Sequence, residues 1–369
     1  MSPSLVMPRR SLAAVALGLL TLVACSDSST GRDAGFLDGT SDDPDIGVVV
    51  NTLAKSITLF QAGSPDTRRQ IPLGASDLIT PTTAAIRGRR LAVPLGGSAS
   101  VAVVDLDAAR VDRVFTFPAG NATGVTWLDD NTVVASNLVD DYVGKFTLDQ
   151  QGTAITDVVD VAPAPTAVLT VGNRLFVVSS NLDENFQPLG DGVVTVLDGA
   201  TLDVVGTVTV GRNPQYAALG PDGKVYVVNS SEFGAGPAGS VSIVDPTTLA
   251  VEATVPGFGS FPIAISIDAE GTAYVSSFDY GTVVWDTRTR TFVRGPDAPL
   301  CAPVQSTGAC RGAADATVSE DGTVYQAFFG TQALPAQIFL YRGPTYELAD
   351  SISIGAGTGP ISIDVQSFR

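Results

Sequence analysis

The sequence contains no histidine, and only three lysines and six glutamates among its 369 residues. Without histidine the chain can form no Ser-His-Asp triad, no histidine-ligated zinc, copper or haem site, and no imidazole base. Lysine and glutamate favour helices, so their scarcity argues against a helical fold. Any catalysis would have to use carboxylates, arginine, tyrosine or a cation bound by oxygen atoms.

Residues that favour turns are abundant, with 38 glycines, 23 prolines and 32 aspartates. The hydrophobic content of 44% is sufficient for a core. Together these values predict an all-β fold of short strands joined by tight turns. The net charge of −17 argues against nucleic acid as a partner, because its recognition needs a basic surface.

Residues 1–24 have the pattern of an export signal. Arg9 and Arg10 precede an apolar run from Leu12 to Ala24, which is too short to span a bilayer and suits a signal-peptide core. The run ends in the sequence LVAC, which resembles the lipobox of bacterial lipoproteins. The resemblance implies cleavage before Cys25 and lipidation of Cys25. An ordinary secretory signal followed by a chance cysteine is the alternative.

Residues 25–45 are then expected to form the lipidated cysteine and a flexible, acidic tether. Cleavage would remove two arginines and no acid, which leaves 19 basic and 38 acidic residues and a net charge of −19. Ser26 stands where many lipoproteins retained in the inner membrane have aspartate, so the outer membrane is favoured. We expect a protein of the bacterial cell envelope, anchored by its lipid and facing the periplasm or the cell surface.

A strand-sized motif recurs seven times along the chain. Its copies begin at residues 48, 91, 133, 175, 225, 273 and 324. A period of about 40 to 50 residues with four strand-sized segments in each unit is typical of propeller blades. A pair of β-sandwiches is the alternative.

The clearest unit runs from Pro214 to Gly257. Its four predicted strands are PQYAALG, KVYVVNS, SVSIVD and LAVEATVP, and a PDG turn joins the first two. This unit resembles the YVTN-type seven-bladed β-propeller repeat, a WD40-like architecture. The resemblance covers roughly residues 46 to 365. It is strong in the fifth unit, clear in the fourth and sixth, and weaker in the second and third, which lack the PDG turn.

The resemblance implies that residues 46–369 form one seven-bladed β-propeller of four-stranded antiparallel blades. The first unit has no inner strand, whereas a strand-like segment, PISIDV (Pro360 to Val365), follows the last unit. We predict that this C-terminal strand pairs into the first blade and closes the ring. Closure removes the exposed edges that an open sheet would present.

The long insertions fall on one predicted face, which carries the loops between second and third strands and those between blades. Long loops on a rigid scaffold are common binding sites. The candidate ligand or cation face comprises Asp140, Asp141, Asp183, Glu184, Asp191, Glu232, Phe233, Arg311 and Asp315. We expect the loop acids to be solvated. A Ca²⁺ site is the alternative, although no EF-hand-like spacing is present. Arg311 either contacts an anionic ligand or pairs with nearby acids.

Cys301 and Cys310 are the cysteines that remain after lipidation of Cys25. Two cysteines nine residues apart in an exported protein predict a disulfide. A redox-active pair would more commonly have the CxxC spacing.

These features favour a monomeric binding or interaction scaffold, without catalytic residues, that recognises a protein or a glycan through its long-loop face. The alternative is a cation-dependent lactonase or hydrolase that uses carboxylates only. Propeller lactonases use histidine, or a buried set of glutamate, asparagine and aspartate around a divalent cation. The chain lacks histidine, and its inner strands offer few acids, chiefly Asp315 and Asp268. No cofactor other than Ca²⁺ is expected.

Overall fold

The computed structural model describes residues 35–231, 238–304, 307–331 and 334–369. The predicted signal at 1–24, Cys25, Glu232 and Phe233 lie outside the described residues. The described chain forms seven four-stranded antiparallel sheets arranged as the blades of a ring. Within this part of the chain, no helix is long and apolar enough to cross a membrane.

The blades follow one another along the sequence, and their strands have the following bounds. Blade one contains β1 (Asp45–Asn51), β2 (Ser56–Gln61) and β3 (Ser64–Pro72). Blade two contains β4 (Ala85–Arg87), β5 (Arg90–Pro94), β6 (Ser100–Asp105) and β7 (Arg110–Thr116). Blade three contains β8 (Ala122–Trp127), β9 (Thr132–Asn137), β10 (Tyr142–Thr147) and β11 (Asp157–Asp160). Blade four contains β12 (Pro165–Val171), β13 (Arg174–Ser179), β14 (Val193–Asp198) and β15 (Val204–Thr209).

The remaining blades repeat the same order. Blade five contains β16 (Pro214–Leu219), β17 (Val225–Asn229), β18 (Ser240–Asp245) and β19 (Ala250–Pro256). Blade six contains β20 (Pro262–Ile267), β21 (Thr272–Ser277), β22 (Gly281–Asp286) and β23 (Thr291–Arg294). Blade seven contains β24 (Asp315–Val318), β25 (Val324–Phe328), β26 (Ala336–Arg342) and β27 (Glu347–Gly355). The last strand is β28 (Pro360–Ser367).

The ring closes as the sequence predicts. Strand β28 pairs antiparallel with β1 and completes blade one, with Val48 opposite Asp364 and Val49 opposite Ile363. The side chains of Ile363 and Val365 are each only 4% exposed, because they pack in the core between blades one and seven. The C-terminal segment is therefore an integral part of the first blade.

The core lies between neighbouring blades, and this explains the continuous apolar runs of the middle strands. All five residues of β17 are buried, because a blade packs against each of its faces. The outer strand β19 instead alternates between exposed and half-buried residues. Large rings fill the wedge between blades five and six, where the centroids of Tyr226 and Trp285 lie 6.0 Å apart.

Four aspartates that end third strands hold the turns that follow them. Each carboxylate accepts hydrogen bonds from turn N–H groups two or three residues ahead, at 2.7 to 3.1 Å. These residues are Asp105, Asp198, Asp245 and Asp286. The recurring acids are therefore structural caps rather than catalytic groups.

The segment before blade one differs from the predicted tether, which extended to residue 45. Phe36 and Leu37 lie in a short 3₁₀ helix (Phe36–Asp38) and are 8% and 2% exposed. The side-chain amide of Gln61 donates to the carbonyl of Phe36 at 2.9 Å, and the guanidinium of Arg69 lies 4.4 Å from its ring centroid. These two apolar residues, within an otherwise polar stretch, attach residues 35–45 to blade one.

The predicted disulfide is confirmed. Cys301 and Cys310 are bonded, with their Cα atoms 5.4 Å apart, in the long connection between β23 and β24. The bridge secures the base of this connection, where the buried Leu300 and Ala302 pack against blades six and seven.

Candidate functional site

One face of the ring, which we call the long-loop face, carries the loops between second and third strands and the connections between blades. The longest of these within the described residues are 73–84, 180–192 and much of 295–314. Turns on the opposite face, the short-turn face, have two to five residues in most blades. The exception is 148–156, which is longer than the sequence suggested.

Three of the predicted acids border one pocket on the long-loop face, between blades three and four. This pocket has a volume of about 240 Å³, and Asp141, Asp183 and Glu184 contribute to its wall. Most of the remaining wall is apolar and includes Phe186 and Leu189. Asp140 and Asp191 lie in the same two loops but do not line the pocket.

Two of these acids hold the backbone of their own loops. The carboxylate of Asp141 accepts the N–H of Ala164 at 2.8 Å, across the junction of blades three and four. Asp183 accepts the N–H groups of Asn185 and Gln187, each at 2.8 Å. In the described parts of the chain, no group of three or more acidic or thiol side chains is placed to hold a metal ion.

Arg311 is integrated into blade seven. Its guanidinium carbon lies 5.5 Å from the ring centroid of Phe328 and 5.3 Å from that of Phe339. A guanidinium N–H donates to the side-chain oxygen of Gln337 at 2.6 Å. The predicted partners were an anionic ligand or acids, whereas the structure supplies two aromatic rings and a neutral amide. This guanidinium therefore stabilises the blade by packing.

The mouth of the central channel opens on the long-loop face as a second cavity, of about 320 Å³. Each blade contributes a residue close to the start of its inner strand, in most blades the second residue of that strand. These residues are Thr82, Thr123, Thr166, Gln215, Ile263, Asp315 and Ile361. Blades two to five thus supply polar side chains, and the other three supply two isoleucines and one carboxylate. Phe261 and Phe278 extend the apolar side of this channel mouth.

Tyr216 forms the floor of the channel mouth. The residue that follows each of the seven wall residues is small in every blade except blade five, where it is Tyr216. Its hydroxyl lies 3.5 Å from that of Thr83. Both residues also line a deeper cavity of about 170 Å³, which blades two to five enclose. Tyr216 therefore separates the two cavities.

Asp315 is the one charged residue among the described residues that line the channel mouth. Its carboxylate accepts the N–H of Ile363 at 3.0 Å and its neighbour's N–H, that of Ala316, at 2.9 Å. Burial raises the pKa of Asp315 to about 7, and the charge of Asp364 adds to that rise. The two amides and the hydroxyl of Ser362 act in the opposite direction but do not cancel the effect of burial.

Asp364, on β28, and Tyr216 are two further titratable groups whose electrostatics are linked to those of Asp315. Asp364 is accessible to solvent, yet the surrounding protein encloses its carboxyl, and this enclosure raises the pKa of Asp364. Burial also raises the pKa of the Tyr216 hydroxyl, and the charges of Asp315 and Asp364 increase that shift. Neither residue was among the predicted candidates. Alignment of the seven inner segments would have identified Tyr216, since the other six have a small residue there.

Sequence comparison assigns the chain to no family: no protein-family model and no curated protein matches it. Among solved structures, the chain is similar to Kuenenia stuttgartiensis hydrazine synthase, with a TM-score of 0.61 and 15% identity. The match covers 83% of this chain and 95% of that chain. This likeness shows the β-propeller fold alone. In all, 1572 solved chains match the structure, so the architecture is shared too widely to indicate an activity.

Proposed function

We propose that this protein is a lipid-anchored, YVTN-type β-propeller of the bacterial envelope, which binds a protein partner through its long-loop face. The observation that carries the proposal is a set of exposed apolar side chains in the loops of that face, three of which, Val139, Phe186 and Leu189, line one pocket. The set comprises Leu53, Leu78, Val139, Phe186, Leu189 and Phe278, each between 44% and 61% exposed. Exposed apolar side chains around a pocket are typical of protein interaction sites, and they favour a protein over a glycan as the partner.

The short-turn face has a different chemistry. Several of its charged side chains are paired with one another, as in Arg87–Asp130 at 2.7 Å and Lys224–Asp245 at 2.6 Å. On the long-loop face, Lys55 pairs with Asp77 at 2.7 Å. A surface with paired charges is compatible with exposure to solvent. This supports recognition of the partner at the opposite, long-loop face.

The membrane anchor and the envelope location rest on the N-terminal sequence. The apolar run that ends in LVAC has the length and position of a lipoprotein signal, and Cys25 would carry the lipid. The disulfide between Cys301 and Cys310 is consistent with an oxidising compartment.

The test is crosslinking of the full chain in native envelopes, followed by identification of the captured protein. The double variant Phe186→Ser/Leu189→Ser removes two exposed apolar side chains from the long-loop face. The matched control, Val204→Ser/Val205→Ser, removes two from β15, where they are 54% and 44% exposed. We expect the first variant to lose the crosslinked partner and the control to retain it. Equal capture by both variants would refute recognition at this face.

A further inference from the structure

The geometry points to a small-molecule site in the channel mouth, with specificity for an organic ammonium ion that carries an apolar group. The ammonium group would lie beside Asp315 and the apolar group against Phe261, Phe278 and Ile263. This site is separate from the pocket formed by the outer loops, so it goes beyond the proposed function and does not depend on it. A volume of about 320 Å³ is sufficient for a small ligand.

The first argument is electrostatic. Asp315 is the single charged residue in the described wall, and no arginine or lysine lines this cavity. The carboxyl of Asp364, on the neighbouring strand β28, adds a second negative charge close by. An anionic ligand would therefore meet repulsion, whereas a cation would neutralise Asp315. The carboxylate has about four lone-pair positions, so the two backbone N–H groups and the hydroxyl of Ser362 still leave acceptor capacity for a ligand.

The second argument concerns the polar half of the wall, which offers acceptors. The hydroxyl of Thr82 donates its hydrogen to the carbonyl of Thr123 at 3.1 Å. The hydroxyl of Thr166 lies 3.2 Å from the carbonyls of Val178 and Pro214, so its hydrogen is also directed at the backbone. These hydroxyls therefore present lone pairs to the cavity.

Gln215 has the same character. Its side-chain NH₂ group donates to Asn213 at 2.8 Å and to Ser180 at 3.1 Å, which leaves its side-chain oxygen as an acceptor. A ligand that donates several hydrogen bonds fits this wall, and an ammonium group has up to three N–H donors.

The third argument concerns the opposite wall. Phe278 is 44% exposed, and its ring packs edge-on against Phe329 with the centroids 6.0 Å apart. Together with Phe261 and Ile263 it forms an apolar surface adjacent to the carboxylate of Asp315. A ligand with a charged end and an apolar end would therefore contact a complementary wall with each end in one cavity. Aromatic rings further favour a neighbouring cation.

The experiment measures binding of three probes of similar size to the full chain by calorimetry at pH 8, where Asp315 is ionised and the amine is still protonated: benzylamine, benzyl alcohol and benzoate. We expect benzylamine to bind at least tenfold more tightly than benzyl alcohol, and benzoate not to bind. Asp315→Asn should remove the preference for the amine and leave the affinity for the alcohol within about twofold. Asp191→Asn removes the same charge from the same face, outside the cavity, and should change neither affinity.

A second measurement needs no variant. A photoreactive azide derivative of benzylamine, added to the wild-type protein, should label residues 261–280 and 312–318, and an excess of benzylamine should suppress this labelling. Equal affinity for amine and alcohol, an unchanged preference in Asp315→Asn, or labelling confined to other segments would each overturn the proposal.

Discussion

The hydroxyl of Tyr216, on the inner strand of blade five, lies 3.5 Å from the hydroxyl of Thr83, on the segment that leads into blade two. The contact therefore crosses the central channel. It links blades that are not neighbours in the ring, and it separates the channel mouth from the deeper cavity. A single side chain thus sets the depth of the candidate ligand site.

Replacement of Tyr216 by alanine should join the two cavities, of about 320 and 170 Å³. A longer amine, 4-phenylbutylamine, should then gain affinity relative to benzylamine by about tenfold, because its chain can enter the deeper space. Tyr216→Phe keeps the ring and loses only the hydroxyl, so its ratio of the two affinities should match that of the wild type. Calorimetry measures both ratios, and identical ratios in the alanine and phenylalanine variants would contradict the assigned role.

The carboxyl of Asp315 should make the fold less stable as the pH rises. Its pKa is about 7 in the folded protein, against an ordinary value of 3.8, so the folded state retains the proton more strongly than the unfolded state. The free energy of unfolding therefore falls between about pH 4 and pH 7, by at most about 1.4 kcal/mol per pH unit from this group. Asp364, whose pKa is also raised, acts in the same direction, and Tyr216 stays neutral in this range.

Asp315→Asn should flatten this dependence, because the amide resembles the protonated acid. Urea unfolding at pH 4.5 and 7.5 measures the effect as the difference between variant and wild type. Asp191→Asn, an exposed acid on the same face, serves as the control and should leave the slope unchanged. Parallel pH profiles for wild type and Asp315→Asn would show that the group does not titrate differently in the folded state.

Ile363 should be essential to the closure of the ring. It is 4% exposed between blades one and seven, and its replacement by alanine should cost about 2 to 5 kcal/mol in the free energy of unfolding. Ile361→Ala is a control on the same strand, since that side chain lines the channel mouth, is only partly buried against the core of blades one and two, and should lose less than half as much. Chemical denaturation followed by circular dichroism provides the comparison. Equal losses of stability in the two variants would mean that β28 stabilises the ring through its backbone pairing with β1 alone.

The disulfide should stabilise the folded chain by up to about 2.7 kcal/mol, the value for closing a loop of roughly ten residues in the chain-entropy model. A reducing agent should therefore lower the melting temperature of the wild type by a few degrees. The double variant Cys301→Ser/Cys310→Ser should melt at the lower temperature with or without the reductant. A wild type that is insensitive to complete reduction would contradict this contribution.

Cys25→Ser should abolish lipidation and release the protein from the membrane fraction. We expect this result because the lipid-modified cysteine is the membrane anchor of the predicted lipoprotein. Detergent phase separation and intact-mass measurement test this directly, and Cys301→Ser/Cys310→Ser serves as the control that keeps Cys25. Unchanged partitioning of Cys25→Ser would rule out the lipoprotein interpretation.

The blades, the closing strand, the capping aspartates and the disulfide were all predictable from the sequence. Each of these depends on a local pattern: apolar runs that recur about every 40 to 50 residues, an aspartate at the end of four of the third strands, and two closely spaced cysteines. The docking of Phe36 and Leu37 was missed because two apolar residues in a polar segment give no periodic signal. For Arg311 the sequence predicts contacts with an anionic ligand or with acids and gives no sign of its aromatic neighbours, because these lie on strands that follow it in the chain.

The channel was harder to predict, because its side chains meet across the ring. Tyr216 and Thr83 come from inner segments more than a hundred residues apart. Asp364 lies close enough to affect the pKa of Asp315 only after the C-terminal strand has joined blade one. Their proximity follows from ring geometry rather than from local periodicity. The inner segments of the seven blades carry the necessary signal when they are aligned with one another.

The pairing of β28 with β1 also determines the order in which the protein can be assembled during its biosynthesis. Blades two to seven are each built from consecutive segments, so they can form as the chain emerges, whereas blade one must wait for the last residues. Until then β1 has an open edge, which can pair with other chains. A prematurely terminated polypeptide would keep that edge permanently, so closure of the ring distinguishes finished molecules from incomplete ones, which aggregation and proteolysis would remove.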